Sequence, residues 1–74
     1  MDNKDTKKIL ADNIRLLRAV RRYSQEAVAE IVGVGQNQIS ELENEHANPS
    51  LDTLIRIADA FGVGVSDLFI KKID

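Results

Sequence analysis

The 74-residue chain has no cysteine, and histidine and proline occur once each, as His46 and Pro49. Without thiols there is no disulfide, no thiolate metal site and no cysteine nucleophile. A lone histidine excludes a histidine-cluster metal centre, and neither a metal nor another cofactor is expected. Aromatic residues are limited to Tyr23, Phe61 and Phe69, too few for a platform on which nucleic-acid bases stack. No stretch approaches the roughly 18 apolar residues of a membrane span. The first apolar cluster, Ile9-Leu10-Ala11, lies between charged flanks and does not resemble a secretory leader. A cytoplasmic protein with no membrane contact is the expectation. Catalytic constellations are missing too. The glycines at 33, 35, 62 and 64 punctuate helices and form no phosphate loop. Ser24, Ser40, Ser50 and Ser66 share a single histidine, so the chain is read as no enzyme.

Positive charge is missing from one particular region. Residues 23–50 hold Glu26, Glu30, Glu41, Glu43 and Glu45 and no lysine or arginine. Residues 1–22 hold Lys4, Lys7, Lys8, Arg15, Arg18, Arg21 and Arg22 against Asp2, Asp5 and Asp12, a surplus of four positive charges. Residues 51–74 balance Arg56, Lys71 and Lys72 against four aspartates, and the net charge is −2. Any attraction to phosphate is therefore expected from the first helix, from helix N-termini, and from Lys71 and Lys72.

What is present fits one small all-α domain over residues 1–74. A chain of this size buries about 60% of its unfolded surface, enough to fold alone. The central stretch, residues 25–44, reads as two short helices and a tight turn. Ser24 is an N-cap whose hydroxyl accepts an orphan backbone N–H. Val28, Ala29 and Val32 share one face of a helix over 25–32. Gly33 stops that helix, because glycine adopts the left-handed conformation without a Cβ penalty. Val34 plugs the turn and Gly35 caps the second helix, 36–44. There Ile39, Leu42 and Glu43 lie on one side and leave Gln36, Asn37, Gln38, Ser40 and Glu41 for the others. This is a helix-turn-helix with a polar, outward-facing second helix.

The flanking segments follow the same logic. Leu10, Ile14 and Leu17 form a core-facing stripe on a first helix from Thr6 or Lys7 to Arg22. Residues 1–5 are expected to be frayed. Pro49 biases Asn48 away from helix and places residues 45–49 in a loop. Ser50 caps a helix over 51–61, with Leu54, Ile57, Ala58 and Phe61 inward, and Gly62 ends it. Gly62-Val63-Gly64 repeats the pattern of Gly33-Val34-Gly35 and introduces a fifth helix, from Val65 to Lys71 or Lys72.

Ile14-Arg15, Arg18, Ser24-Gln25-Glu26, Ala29, Gly33-Val34, Ile39-Ser40, Glu43-Asn44, Asn48-Pro49-Ser50-Leu51, Leu54, Ile57-Ala58, Gly62-Val63 and Leu68-Phe69 together resemble the phage-repressor-like (Cro/repressor type) helix-turn-helix domain. The resemblance covers about residues 9–70. It implies a compact five-helix, lambda-repressor-like fold. It also implies sequence-specific binding to double-stranded DNA as a transcriptional regulator, typically a repressor on a palindromic operator bound as a homodimer. By resemblance, Gln36, Asn37 and Glu41 reach base edges, Gln38 and Ser40 make backbone or flanking contacts, and Gln25 and Asn44 meet phosphates. Arg18 and Glu43 resemble a structural ion pair between the first and third helices. Asparagine and glutamine each match adenine N6 and N7, which suggests A·T pairs opposite Gln36 and Asn37, and Glu41 can accept from cytosine N4.

Three departures stand out. Glu45 occupies a position where the family often has a helix-ending glycine. The loop 45–50 lacks the cation often found there, and glycine replaces a Ser-type cap at 35 and 64. Phe69, Ile70 and Ile73 form an apolar group suited to a homodimer seam on the last helix. No small-molecule ligand is expected. The shortage of cations in residues 23–50 keeps a second reading open, a protein-interaction module of antitoxin or adaptor kind on the same fold.

Overall fold

The computed structural model describes residues 3–71. Four α-helices and one 3-10 turn follow one another: α1 (Asn3–Arg21), α2 (Gln25–Val32), α3 (Gln36–Glu43), α4 (Leu51–Phe61) and the turn Val65–Phe69. The first helix begins earlier than the sequence suggests, at Asn3, with Asp5 in its first turn where a carboxylate meets the positive end of the helix dipole. Ser24 and Ser50 cap α2 and α4, their hydroxyls accepting from the Ala27 and Thr53 amides at 3.0 and 3.1 Å.

The core is drawn from every element. Leu10 and Ile14 of α1, Val28, Ala29 and Val32 of α2, Ile39 and Leu42 of α3, Ile57, Ala58 and Phe61 of α4, and Leu68 of the 3-10 turn form one buried cluster. Each large side chain removed from water in this way contributes about 1.5–3 kcal/mol. Val34 and Val63, the apolar residues that follow the helix-ending glycines, pack against its edge with Leu17 and Tyr23. The Tyr23 and Phe61 rings stack at 6.4 Å. In this arrangement α2 lies against α3 and α4, while α1 lies against α3 and the 3-10 turn.

The fifth helix of the sequence reading is corrected to the 3-10 turn Val65–Phe69. Asn13, which is 3% exposed, ties its end to α1. Its Nδ2 donates to the carbonyls of Leu68 at 2.8 Å and Ile70 at 2.9 Å. Those oxygens face α1, and the two bonds hold the end of the turn against that helix. Ile70 is extended (φ −82°, ψ 119°). At the other end Asp67 accepts from the Gly64 amide at 2.8 Å, which holds the tight first turn.

Helix endings hold a second departure. Arg22 and Glu45 adopt left-handed φ of 57° and 65°. In both places the next amide reaches back to close the helix, Tyr23 N to Arg18 O at 3.0 Å and His46 N to Glu41 O at 2.9 Å. This is the Schellman closure that glycine usually serves, so α3 stops at Glu43 although Glu45 stands in the glycine position.

Candidate nucleic-acid interface

The turn between α2 and α3 depends on one backbone conformation. Gly33 has φ 87°, and the Val34 amide returns to Ala29 O at 2.9 Å. The chain then enters α3 through extended Gly35. Ile39, Leu42 and Glu43 are buried, and these three fix the inner face of α3. Gln36, Asn37, Ser40, Glu41 and Asn44 fall at i, i+1, i+4, i+5 and i+8, one outward stripe. All are exposed except Ser40, which is half-buried. Gln38 is exposed and turns toward the α3–α4 loop. Together with Asn37 and Glu41 it lines a groove of about 440 Å³ whose other wall is His46 to Ser50 and Thr53. Asn44 Nδ2 donates to Ser40 Oγ at 3.4 Å.

Gln25 is placed differently from its neighbours in the motif. It is half-buried, and its Nε2 donates to Glu43 Oε1 at 3.2 Å. Glu43 is the hub beneath the exposed stripe. It accepts from Arg18 Nε at 2.8 Å and Nη2 at 2.9 Å as well as from Gln25. Arg18 Nη1 also donates to Tyr23 O at 3.1 Å. The hydrogen bond to Glu43 holds the guanidinium above its ordinary pKa, outweighing the opposing effect of burial. Planar, two-point contacts of this type fix orientation as well as distance.

The other arginines of α1 face the same way. Arg15 donates to the Glu43 carbonyl and, at 3.1 Å, to Asp12. Arg21 donates to the Phe61 carbonyl at 2.7 Å. Both satisfy carbonyls at the ends of α3 and α4, where a cation also complements the helix dipole. The guanidinium groups of Arg15, Arg18 and Arg21, which the sequence assigns to phosphate attraction, thus have partners within the fold, although Arg15 and Arg21 remain exposed. Beside the outward stripe stands His46, its Nδ1 3.5 Å from Oε2 of Glu41 in the stripe.

Phe69 is half-buried against the core, whereas Ile70 is 47% exposed. Ile73 lies outside the described residues. Asn13 is the residue that sequence reasoning missed. Its signal was available: it sits at i+3 from Leu10, on the inward stripe of α1, where a polar side chain needs a partner.

A core-facing helix pair with an outward polar second helix defines a helix-turn-helix module, and the comparisons agree. The chain belongs to the helix-turn-helix family HTH_3, which matches residues 14–68. It is 38% identical over 68 residues to the control protein C.SmaI of Serratia marcescens, covering 92% of this chain and 81% of that protein. It is 35% identical over 60 residues to the cryptic phage CTXphi transcriptional repressor RstR of Vibrio cholerae, covering 81% of this chain and 54% of that one. Among solved structures, the hypothetical transcription factor NHTF from Neisseria superposes with a TM-score of 0.87 at 31% identity, covering 96% of this chain and 82% of its own. The chain is thus a DNA-binding transcription regulator of the Cro/repressor type.

Proposed function

We propose that this regulator represses by occupying a palindromic operator as a homodimer. The outward stripe of α3 carries the reading, because it projects amides and one carboxylate from a helix whose inner face is fixed by Ile39, Leu42 and Glu43. Gln36 and Asn37, in the first turn of α3, meet base edges first. They favour A·T pairs, and Glu41 accepts from cytosine N4. Gln38, Ser40 and Asn44 contact sugar and phosphate at the flanks. Gln25 offers its backbone amide at the start of α2 while its side chain supports Glu43. Arg18 and Glu43 hold α3 in orientation and do not touch DNA. Phe69 and Ile70, with Ile73, form the seam that relates two copies by a two-fold axis, as two half-sites one helical turn apart require. Its similarity to a control protein and to a phage repressor supports the regulatory reading.

Selection of binding sites from random duplex, followed by mobility shifts with Gln36→Ala and Asn37→Ala, tests this. Half-sites in inverted repeat with A·T at the two amide positions are expected. Selection of G·C there, or of no sequence, overturns the base assignments.

The absence of lysine and arginine from residues 23–50 favours a second reading, docking on a protein partner. Salt separates the two. Affinity for duplex DNA that falls steeply with salt supports DNA binding, and no binding to duplex even at low salt supports the protein partner.

A further inference from the structure

Gly35 is not required by its backbone. Its φ of −75° and ψ of 152° are open to any L-residue, unlike the left-handed Gly33. Space is what the glycine supplies. A Cβ at position 35 would stand 2.7 Å from Asn37 Oδ1 and 3.9 Å from its Cγ. The end of the Asn37 carboxamide therefore occupies the volume that a side chain at 35 would fill. Gly35 also gives no side-chain cap to α3, so nothing else competes for the ground above the first turn.

We infer that Gly35 is a specificity-determining residue that acts by positioning the Asn37 carboxamide. The inference rests on the reading of Asn37 as a base-contacting residue. An amide discriminates bases through the direction of its donor and acceptor, so the direction sets which edge it matches. The clash of a Cβ is with the far end of a flexible side chain. An alanine at 35 therefore leaves the helices in place and turns the Asn37 carboxamide to another direction, whereas a serine would add a capping oxygen as well. Alanine is the cleaner probe.

The experiment compares wild type, Gly35→Ala, Asn37→Ala and the double variant. Each is first shown to be folded by circular dichroism. Relative affinities for operator duplexes with A·T or G·C at the pair assigned to Asn37, and at the pair assigned to Glu41, are then measured, together with the nuclear Overhauser contacts of the Asn37 side-chain amide in the free protein by NMR. Gly35→Ala should change discrimination at the Asn37 pair by about fivefold or more and leave the Glu41 pair within about twofold. The free protein should show a changed orientation of the Asn37 carboxamide. In the Asn37→Ala background the effect of Gly35→Ala should disappear. Unchanged discrimination with Gly35→Ala, while Asn37→Ala alters it, overturns this inference and leaves the base assignment standing. An effect of Gly35→Ala that persists without Asn37 also overturns it. No effect of Asn37→Ala at any pair removes the base assignment, and this inference with it.

Discussion

Arg18 presents the side of its guanidinium to Glu43, Nε to Oε2 at 2.8 Å and Nη2 to Oε1 at 2.9 Å, across 25 residues of sequence. Glu43's side chain is 4% exposed and Arg18's 25%. Removing one partner of such a pair leaves a charge enclosed without compensation, at a cost of about 3–5 kcal/mol. Arg18→Ala should therefore lower the melting temperature by more than about 10 °C, at roughly 4–8 °C per kcal/mol for a domain of this size. A thermal melt followed by circular dichroism measures it, and an unchanged midpoint refutes the structural role.

Asn13 ties α1 to the far end of the chain through the Leu68 and Ile70 carbonyls. Asn13→Ala leaves both without that donor, one of them on the fully buried Leu68. A loss of about 1–3 kcal/mol is expected, read as a lower midpoint in urea. Dimerisation should weaken in the same variant if Phe69 and Ile70 form the seam.

Ile70 is where the seam can be tested without disturbing the core, since its side chain is partly exposed. Ile70→Glu should leave the melting temperature of the monomer within a few degrees and shift the protein to monomer in sedimentation velocity. A dimer that survives the charge places the two-fold axis elsewhere.

Glu45 and Arg22 hold left-handed conformations that disfavour a Cβ. Glu45→Gly relieves that strain but gives the unfolded chain more freedom, for a net gain of about 0.5–1 kcal/mol. The expected sign is a higher melting temperature. A lower one would show that the Glu45 side chain stabilises the loop by more than its backbone strain.

Acid should weaken one contact on α1. The hydrogen bond from Lys8 holds the Asp12 carboxyl below its ordinary range against the effect of burial, and the Lys8 and Arg15 charges add to it. A depressed carboxylate stabilises the fold above its unfolded pKa of about 3.9, and the stabilisation is lost as pH falls through the folded value. The advantage of wild type over Asp12→Asn in thermal melts should be small near neutrality, because the pair is exposed. It should shrink below about pH 4. Lys8, raised by the same contact, loses its share at the alkaline end.

Much of this architecture is legible in local chemistry. Ser24, Gly33, Ser50 and Gly62 act within a few residues of where they stand, so caps and stops mark α2 and α4 to the residue. Features that depend on distant partners are not. Asn13 finds its acceptors 55 and 57 residues away, and only its place on an apolar stripe hints at that. The same bonds hold the last element, a 3-10 turn against the helical pattern of its sequence, to α1. Arg22 and Glu45 hide their turns because their own preferences oppose the conformation they adopt. The outward face of α3 is plain from periodicity, whereas the bonds from Arg15 and Arg21 to helix-end carbonyls are not, since a basic stripe reads equally well as a solvated surface.

Arg15, Arg18 and Arg21 join one helix to the ends of two others, spanning 28, 25 and 40 residues. That arrangement bears on cooperativity. If the C-terminal half of α1 peels away, the ends of α3 and α4 lose their partners together, so the three should open as one unit with a shared free energy. In the reverse direction the loops must close before any of these contacts forms. The helix-turn-helix hairpin closes over a short loop, but its second helix acquires these bonds, and with them a fixed bearing on α1, only when α1 docks.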